Sequence, residues 1–557
     1  MKKLFTTLCI CFSLGMIAQF PVGYGLHPGF QNNIPLMELG TFDHAALLAE
    51  DTEIENNGGR TNNGRLIPIN LNENDGLWST LPDGSRLWQL RVRSTDALGL
   101  NVYFSGYHVP VGATMWMYNT SLTMFDGPYN HTDNNTHGHM CAGYVTGDEA
   151  IIEYHEPYGV VGTPGLEIRA IGHFYRYVYH DQDDRGSEFC EVDVNCPEGD
   201  LWQPEKDAVV RLLIVDGNFM GLCSGAFVNT IQMDCRPYIL TALHCALGVS
   251  DEDFLDLSVR FNYEKSGCGT GAALSTHNKV GVFHRADSDD GGGQQGSDFL
   301  LIELEDEIPD SFTPFFAGFN ATGTGSESGV CIHHPAGSAK KISTYEDNLS
   351  SVTYGSPGSH WEVEWVETET EWGVTEPGSS GSPLFNAAHQ LVGHLTGGLS
   401  CCVPGACNDN SSATGPNKPD YYGKVSKDWD GNPNPTNWKL KEWLDPEGTG
   451  IEVMFGSYIN EGLENPCGVD VGIRNEIKFE DVQVQPTASS GLVNIFCPAW
   501  HTVEVVNLFD ATGSLVMNFS LKANSTTLDI SHLTTGFYYI TFIHTGGSHI
   551  TKKISKA

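Results

Sequence analysis

Three short segments place a histidine, an aspartate and a serine where nucleophilic catalysis would need them. His244 ends an apolar, strand-like run, Asp298 opens another, and Ser380 lies in a glycine-rich turn. A serine hydroxyl is a weak nucleophile at neutral pH, so it needs a histidine to take its proton and a carboxylate to hold that histidine in the right tautomer. Each segment alone has a structural explanation, since such histidines and Gly-Ser turns are common. In this order they predict acyl-transfer chemistry, with His244 as base, Asp298 as its orienting carboxylate and Ser380 as nucleophile.

The glycines beside Ser380 predict a second part of the site. Gly378 and Gly381 allow the backbone to turn sharply around the serine. The amide hydrogens of Gly378 and Ser380 can then point at one position and stabilise a developing oxyanion. Loss of one such donor typically costs about 3 kcal/mol of transition-state stabilisation.

The elements that must position these residues are strands. Aromatic and β-branched runs separated by Gly and Pro turns recur over residues 87–179 and predict an antiparallel sandwich. Residues 186–458 contain at least six more strand-like runs and one good helix near residues 437–444, which predicts a β-barrel domain. Alternation returns in residues 482–557 and predicts a small all-β sandwich.

The first 18 residues have the composition of a secretory signal peptide. Lys2 and Lys3 supply positive charge, an apolar stretch follows, and Ala18 offers a small residue for cleavage. A buried N-terminal helix is the alternative. Export places the remaining cysteines in an oxidising space where disulfides persist. Two of the 15 cysteines lie in the signal peptide, so 13 remain, and at least one is free or pairs outside the chain.

Charge and composition exclude several classes of protein. The chain has 30 Lys and Arg against 69 Asp and Glu, a net charge of −39, and a surface that acidic repels nucleic acid and anionic lipid. A hydrophobic content of 40% argues against disorder. After the first twenty residues we find no apolar run long enough to span a bilayer. The sequence also lacks a phosphate loop or a dinucleotide fingerprint, so no cofactor is predicted.

Residues 186–458 resemble the lysyl endopeptidases, which are secreted bacterial serine proteases with a chymotrypsin-like double β-barrel. The matching segments are Cys190 with Val192–Asp200, Leu240–Cys245, Ser297–Phe299, Ile332–Pro335, Gly373–Pro383 and Trp443–Pro446. Position by position, the resemblance implies the same roles for His244, Asp298 and Ser380. It therefore implies a mostly β protease domain that acts on proteins or peptides by an acyl-enzyme mechanism.

The resemblance also implies a disulfide framework. The implied pairs are Cys190 with Cys402 (or its neighbour Cys401), Cys196 with Cys268, and Cys223 with Cys245. Cys407 could then pair with whichever of Cys401 and Cys402 remains, and Cys235 and Cys331 have no partner that we can argue for.

Asp420 is the residue on which predicted specificity depends. The family selects lysine before the scissile bond through an aspartate in the segment that matches residues 418–425, and a surface-turn aspartate after a proline is the alternative reading. Two substrate-binding positions depart from the family pattern, because Thr396 replaces a histidine and Tyr354 replaces a stacking tryptophan. We therefore expect cleavage after basic residues with lysine favoured, and arginine or mixed preference as the alternative.

The chain is predicted to have five parts. They are a signal peptide (1–18), a β-rich, sandwich-like pro-region (19–185), the serine protease domain (186–458), a linker (459–481) and a C-terminal domain (482–557). In trypsin-like zymogens the freed N-terminus pairs with an aspartate at the position that Ser379 occupies here. Since Ser379 has no charge, release of Gly186 is not expected to activate the site by an ion pair, and the pro-region is expected to fold or occlude the protease.

The C-terminal domain resembles the sorting domains of type IX secretion. The matching segments are Gln485–Thr487, Val505–Gly513 and Leu533–Ile540, followed by a lysine-rich end. The resemblance implies export through the periplasm to the outer-membrane surface or beyond, with the secretion machinery as a partner of a monomeric enzyme. A carbohydrate-binding or adhesion sandwich is the alternative for this domain, and a catalytically silent surface adhesin is the alternative for the whole chain.

Two clusters look like metal ligands but are not predicted to bind metal. His131, His137 and His139 lie near Cys141 in an Asn- and Gly-rich stretch, which predicts a solvated loop. Asp287, Asp289 and Asp290 precede three glycines but lack the spacing of a calcium loop, which predicts a hydrated surface turn.

Overall fold

The computed structural model of the chain describes fifteen stretches. They are residues 20–25, 33–56, 60–176, 187–271, 273, 277–403, 414–431, 438–458, 482–486, 488–489, 491–497, 503–511, 514–521, 525–544 and 549–556. The predicted signal peptide, the junction after Arg185, Cys407 and the predicted linker lie outside the described residues. Within these residues, no helix has the length and apolar character needed to cross a bilayer.

The N-terminal region folds as two packed β-sheets. Its elements are β1 (Leu36–Glu38), α1 (His44–Asn56), β2 (Asn62–Leu71), β3 (Leu77–Thr80), β4 (Arg86–Arg93), β5 (Gly99–His108), β6 (Thr114–Asn119), β7 (Phe125–Tyr129), β8 (Met140–Thr146), β9 (Glu149–Glu156) and β10 (Gly165–Phe174). One sheet has the order β1-β4-β9-β6-β7 with β3 beside β4, and the other contains β2-β10-β5-β8. Buried side chains of both sheets, such as Trp88 and Phe104, form one core, as expected of a sandwich.

The central region contains most of the remaining strands. They are β11 (Val192–Asp193), β12 (Val209–Asp216), β13 (Phe219–Phe227), β14 (Tyr238–Ala242), β15 (Ser258–Arg260), β16 (Asn278–Val280), β17 (Val282–Asp287), β18 (Phe299–Leu304), β19 (Phe315–Phe316), β20 (Gly318–Asn320), β21 (Gly329–His333), β22 (Lys341–Tyr345), β23 (Ser350–Tyr354), β24 (Ser356–Val363), β25 (Pro383–Asn386), β26 (Gln390–Gly398), β27 (Asp420–Lys424), β28 (Val453–Met454) and β29 (Ser457–Tyr458). The helices are α2 (Gln203–Ala208), α3 (Asp251–Phe254) and α4 (Leu440–Leu444).

Two β-barrels form from these strands. In the first, β12, β13, β14 and β18 pair in turn, β18 pairs with β17, and β16 returns to β12 through β15. Only Gly281 separates β16 from β17, so these two form one continuous strand. With β16 and β17 counted as one, the pairs close a ring of six strands. The second barrel has the order β22-β21-β25-β26-β27-β24, and a hydrogen bond of 3.0 Å from Val366 N to Thr344 O joins its two ends. The predicted double β-barrel is confirmed.

The interface between the barrels is apolar and carries the loops of interest. Leu240 and Phe299 of the first barrel belong to the same buried cluster as Ile332 and Phe385 of the second. Close apolar packing of this kind fixes the relative position of the two barrels. The loops that follow β14, precede β18 and precede β25 therefore meet in a defined geometry.

The N-terminal region is joined to the first barrel by strand pairing. Strand β2 runs antiparallel to β13, with Phe219 opposite Arg65 and Gly221 opposite Asn62. Met220 of β13 is fully buried within the core of the N-terminal sandwich. The two regions thus share one continuous sheet and part of one core.

The C-terminal region is a small two-sheet sandwich, as predicted. Its strands are β30 (Gln483–Gln485), β31 (Ala488–Ser489), β32 (Leu492–Phe496), β33 (Val503–Asp510), β34 (Leu515–Phe519), β35 (Ser525–Asp529), β36 (Gly536–His544) and β37 (His549–Lys556). The sheets have the orders β30-β32-β35 and β31-β37-β36-β33-β34, and they enclose a separate apolar core.

Several local predictions were wrong. Helices α1, α2 and α3 were not predicted, because their segments show no clear helical pattern of apolar residues. His137 and His139 are not in a solvated loop, because their side chains are only 11% and 14% exposed. They contact Glu305 Oε2 at 2.7 Å and Asp256 Oδ1 at 3.0 Å.

The aspartate-rich turn is also less hydrated than predicted. Asp290 accepts hydrogen bonds from Ser288 Oγ at 2.8 Å and from Ser297 N at 2.7 Å. Asp287 is buried and contacts His284 Nε2 at 2.8 Å. Among the described residues, no group of three or more His, Cys, Asp or Glu side chains is arranged to hold a metal ion.

Candidate active site

His244 and Asp298 are brought together by the pairing of β14 with β18. Asp298 Oδ2 lies 2.7 Å from His244 Nδ1, and Oδ1 accepts hydrogen bonds from the backbone of His244 at 2.9 Å and of Gly293 at 2.7 Å. Asp298 is fully buried and has a left-handed backbone with φ of 66°, a conformation that these bonds hold in place. Burial opposes ionisation, but the contact with His244 and these hydrogen bonds keep the pKa of Asp298 below its usual value.

Ser380 lies in the loop of the second barrel that precedes β25 and packs against the first barrel. Its carbonyl oxygen accepts a hydrogen bond of 2.8 Å from Ser224 N, which ties the loop to the first barrel. A Cβ on Gly381 would lie 2.0 Å from Thr241 Oγ1, so the loop is packed directly against the end of β14. Among the described residues the Ser380 hydroxyl has no hydrogen-bond partner, and such bonds often form only when substrate binds.

The turn that presents Ser380 leaves two amides unused. Gly378 has a φ of 98°, which only glycine adopts readily, and Ser379 N closes the turn on Glu376 O at 2.9 Å. In the described part of the chain, the amide hydrogens of Gly378 and Ser380 have no internal acceptor. They are therefore available to an oxyanion beside Ser380.

Asp420 begins β27 and is fully buried, so it is not a surface-turn aspartate. Its Oδ2 accepts hydrogen bonds from Trp365 Nε1 at 2.7 Å, Thr375 Oγ1 at 2.7 Å and Ser400 Oγ at 2.6 Å, and its Oδ1 accepts one from Ser400 N at 3.1 Å. Burial raises the pKa of Asp420, and these four donors oppose the rise. These donors could not be predicted from the sequence because they lie on three other segments.

Thr396 and Tyr354 are joined by a histidine that the sequence did not single out. His360 Nε2 lies 3.0 Å from Thr396 Oγ1, and the His360 ring meets Tyr354 edge-on at 5.3 Å. Tyr354 also stacks on Tyr421 at 4.1 Å and accepts a hydrogen bond of 2.9 Å from Gln294. Burial, followed by the nearby His394, lowers the pKa of His360 to about 4. No sequence pattern indicated it, since His360 is the middle one of three consecutive buried residues of β24.

The structure contains the three implied disulfides. They join Cys190 to Cys402, Cys196 to Cys268 and Cys223 to Cys245. Cys235 and Cys401 are also disulfide-bonded.

Cys331 is a free, fully buried thiol, and its Sγ lies 3.3 Å from Ser382 Oγ. Burial raises the pKa of Cys331 to about 12.

Comparison with known proteins agrees with this geometry. Residues 185–423 match the family model described as lysyl endopeptidase, C-terminal domain. This part of the chain is therefore similar to the C-terminal domain of lysyl endopeptidases, and we call it the lysyl endopeptidase-like domain. Residues 483–557 match the model described as secretion system C-terminal sorting domain. The sorting domain indicates export by type IX secretion to the cell surface or outside the cell.

A curated relative supports the same family. The chain is 28% identical over 280 residues to the lysyl endopeptidase of Pseudomonas aeruginosa, a match that covers 46% of this chain and 56% of the relative. The chain therefore spans about half the length of the curated relative it matches.

Solved structures of serine proteases are also similar to the lysyl endopeptidase-like domain. A thermostable serine protease, AL20, from an extremophilic microorganism is 11% identical, with 40% of this chain and 92% of that chain covered and a TM-score of 0.28. Protease Anisep from Arthrobacter nicotinovorans is 15% identical, with 39% and 90% covered and a TM-score of 0.28. Because these TM-scores are low, the fold assignment rests on the strand order and register described above.

Proposed function

We propose that the chain is a secreted serine endopeptidase that cleaves peptide bonds after basic residues, with lysine favoured. The observation that carries this proposal is the bond of 2.7 Å between His244 and the buried Asp298, beside the loop that presents Ser380. A binding protein does not need a buried carboxylate that orients a histidine toward a serine loop.

The proposed acylation step uses all three residues. His244 Nε2 takes the proton of the Ser380 hydroxyl while the Ser380 oxygen attacks the carbonyl carbon of the scissile peptide bond. Asp298 accepts the Nδ1 hydrogen, which leaves Nε2 free to act as the base and stabilises the imidazolium that forms. The amides of Gly378 and Ser380 donate to the oxyanion of the tetrahedral intermediate.

The remaining steps return the enzyme to its starting state. The imidazolium gives its proton to the leaving amine, the C–N bond breaks, and the acyl group remains as an ester on Ser380. Water then attacks this ester with His244 as base, and the carboxylic acid product leaves.

Asp420 is proposed to bind the cationic side chain that precedes the cleaved bond. Its oxygens are held by four donors, so the carboxylate cannot turn away from a bound ammonium group. A buried charge that meets its partner only in the complex favours a cationic side chain over a neutral one, because either charge alone would be costly.

Arginine or mixed preference is a second candidate for specificity. Tyr354 and Thr396 depart from the family pattern. Thr396 and His360 lie on the two strands that flank the strand of Asp420, and Tyr354 stacks on the neighbouring Tyr421. Sequencing of the cut sites in a peptide library decides between lysine, arginine and mixed preference.

The domain plan and activation route complete the proposal. Residues 19–185 are proposed to be a pro-region that helps to fold the protease, since β2 pairs with β13 and Met220 lies in the N-terminal core. We further propose that release of Gly186 makes no activating ion pair with Ser379, whose hydroxyl already bonds to His333 Nδ1 at 2.7 Å. The matured enzyme is proposed to act as a monomer after export by the type IX machinery.

Two experiments test the proposal. Labelling of the matured protein by a fluorophosphonate probe, abolished by Ser380→Ala, is expected for a serine protease, whereas no labelling favours a catalytically silent adhesin. Refolding of residues 186–458 without the N-terminal region is expected to give a low yield, and full activity at normal yield would refute the folding role.

A further inference from the structure

The start of the lysyl endopeptidase-like domain is fastened to the loop that carries the serine. We define residues 187–191 as the N-terminal strap and residues 376–381 as the serine loop. The backbone N–H of Glu188 in the strap donates to Glu376 Oε1 in the loop at 2.8 Å. The disulfide of Cys190 fixes the far end of the strap.

A second acidic side chain of the strap interacts with the same carboxylate. Burial and the charge of Glu376 both oppose the ionisation of Glu191. The Glu191 side chain is fully buried, and in the described part of the chain neither of its oxygens has a hydrogen-bond partner. His333 Nε2 is 3.7 Å away, but both ring nitrogens bond to the hydroxyls of Ser379 and Ser343. Burial lowers the pKa of His333 to about 3, so this ring supplies no positive charge.

The two carboxyl groups oppose each other's ionisation. Burial, followed by the charge of Glu376, raises the pKa of Glu191 well above its usual range. Burial also raises the pKa of Glu376 to about 7, although the hydrogen bond from Glu188 N opposes this rise. Glu188, Lys341 and Asp420 are the other charged groups that act on the two side chains. Because like charges in a buried site repel, the hydrogen bond from Glu188 N is the attractive contact between strap and loop.

Glu376 is also part of the backbone turn that presents the oxyanion donors. Its N–H donates to Ser379 Oγ at 3.1 Å, and its carbonyl oxygen accepts from Ser379 N at 2.9 Å. This closed turn sets the direction of the amides of Gly378 and Ser380. The side chain that binds the strap and the turn that aims the donors therefore move together.

We propose that Glu376 is a positioning residue, which holds the strap through Glu188 N and thereby keeps the amides of Gly378 and Ser380 aimed at the oxyanion. This inference rests on the proposed protease function. The serine loop is then anchored from position 376, rather than by a charge at Ser379. A misaimed oxyanion donor weakens transition-state binding more than substrate binding, so kcat and not KM should report the loss.

The test uses the full chain, secreted and matured, with two variants at each of two positions, one in the serine loop and one in the segment before it. Glu376→Ala is expected to lower kcat for a lysyl peptide nitroanilide at least tenfold and to change KM less than threefold. Glu376→Gln keeps an acceptor for Glu188 N and is expected to stay within threefold of wild type. Glu369→Gln and Glu369→Ala, at an exposed position, are the matched controls and are expected to behave as wild type.

A second pair of variants covers the case in which Glu376→Ala does not accumulate. Glu188→Pro removes the N–H that donates to Glu376 and is expected to lower kcat, whereas Glu188→Ala retains it and is expected to be unaffected. Equal kcat values for this pair, wild-type kcat in Glu376→Ala, or an equal loss in Glu376→Ala and Glu376→Gln would each overturn the inference.

The outcomes also separate the inference from the proposed function. A wild-type enzyme that neither reacts with the fluorophosphonate nor cleaves the peptide refutes both. A wild-type enzyme that does both, alongside a fully active Glu376→Ala variant, refutes only the positioning role.

Discussion

Replacement of Asp298 by asparagine tests the proposed mechanism most directly, because it preserves shape and removes one function. The carbonyl oxygen of asparagine can still accept the two backbone hydrogen bonds that Oδ1 receives from His244 and Gly293, so the loop geometry is retained. The amide NH2 group would then occupy the position of Oδ2, 2.7 Å from His244 Nδ1, where only an acceptor suits the catalytic tautomer. Nδ1 must then be the unprotonated nitrogen so that it can accept from the amide, and the ring hydrogen is placed on Nε2.

The expected effect follows from the tautomer. With Nε2 protonated, His244 cannot take the Ser380 proton, and loss of this function in such triads lowers kcat about 10⁴-fold. That corresponds to about 5 kcal/mol of transition-state stabilisation. We expect KM to change little, since Asp298 is buried beneath the histidine and does not face substrate.

The assay is steady-state hydrolysis of a lysyl peptide nitroanilide, with active sites counted by fluorophosphonate labelling. Near-ultraviolet circular dichroism of wild type and Asp298→Asn shows whether the barrels remain packed. A folded Asp298→Asn variant that retains more than a tenth of the wild-type kcat would refute the assignment of Asp298 as the orienting carboxylate.

Three further predictions concern specificity, stability and pH. Asp420→Asn is expected to lower kcat/KM for a lysyl substrate at least 100-fold, about 3 kcal/mol, and to leave an alanyl ester nearly unchanged; equal losses on both substrates would contradict a pocket role. Replacing Cys223 and Cys245 together by alanine opens a loop with a sequence separation of 22 and is expected to lower the free energy of unfolding by about 3 kcal/mol in urea titrations, whereas an unchanged midpoint would count against this. The raised pKa of Glu376 means that the folded state holds this proton more tightly than the unfolded state does, so the free energy of unfolding of wild type is expected to fall as pH rises from about 4.5 through 7. Glu376→Gln should lose this contribution to the pH dependence. Parallel pH profiles of the two proteins would refute the prediction.

The catalytic segments could be predicted from sequence because their signals are local. The apolar runs that end at His244 and begin at Asp298 are adjacent strands, and their pairing makes the two side chains meet. The glycines around Ser380 likewise indicate a turn without knowledge of the rest of the fold. The double barrel followed from the resemblance and from the number of strand-like runs.

The supporting contacts could not be predicted because they depend on tertiary register. His360 reaches Thr396 only because β24 and β26 both flank β27, and Glu188 N donates to Glu376 across 188 positions of the chain. The partners of His137 and His139 are Glu305 and Asp256 of the first barrel, so the local sequence alone predicted a solvated loop. Helix α1 could not be predicted from hydrophobic periodicity because it has little amphipathic character.

The buried free thiol of Cys331 can report on local opening of the second barrel. With its pKa raised to about 12 and its side chain fully enclosed, the thiol has almost no reactive thiolate in the closed state. Alkylation by iodoacetamide should therefore proceed only from molecules in which β21 has separated from β25. The rate of modification at this cysteine would then measure how often the pairing of β21 with β25, the strand that follows the serine loop, opens. No introduced label is needed.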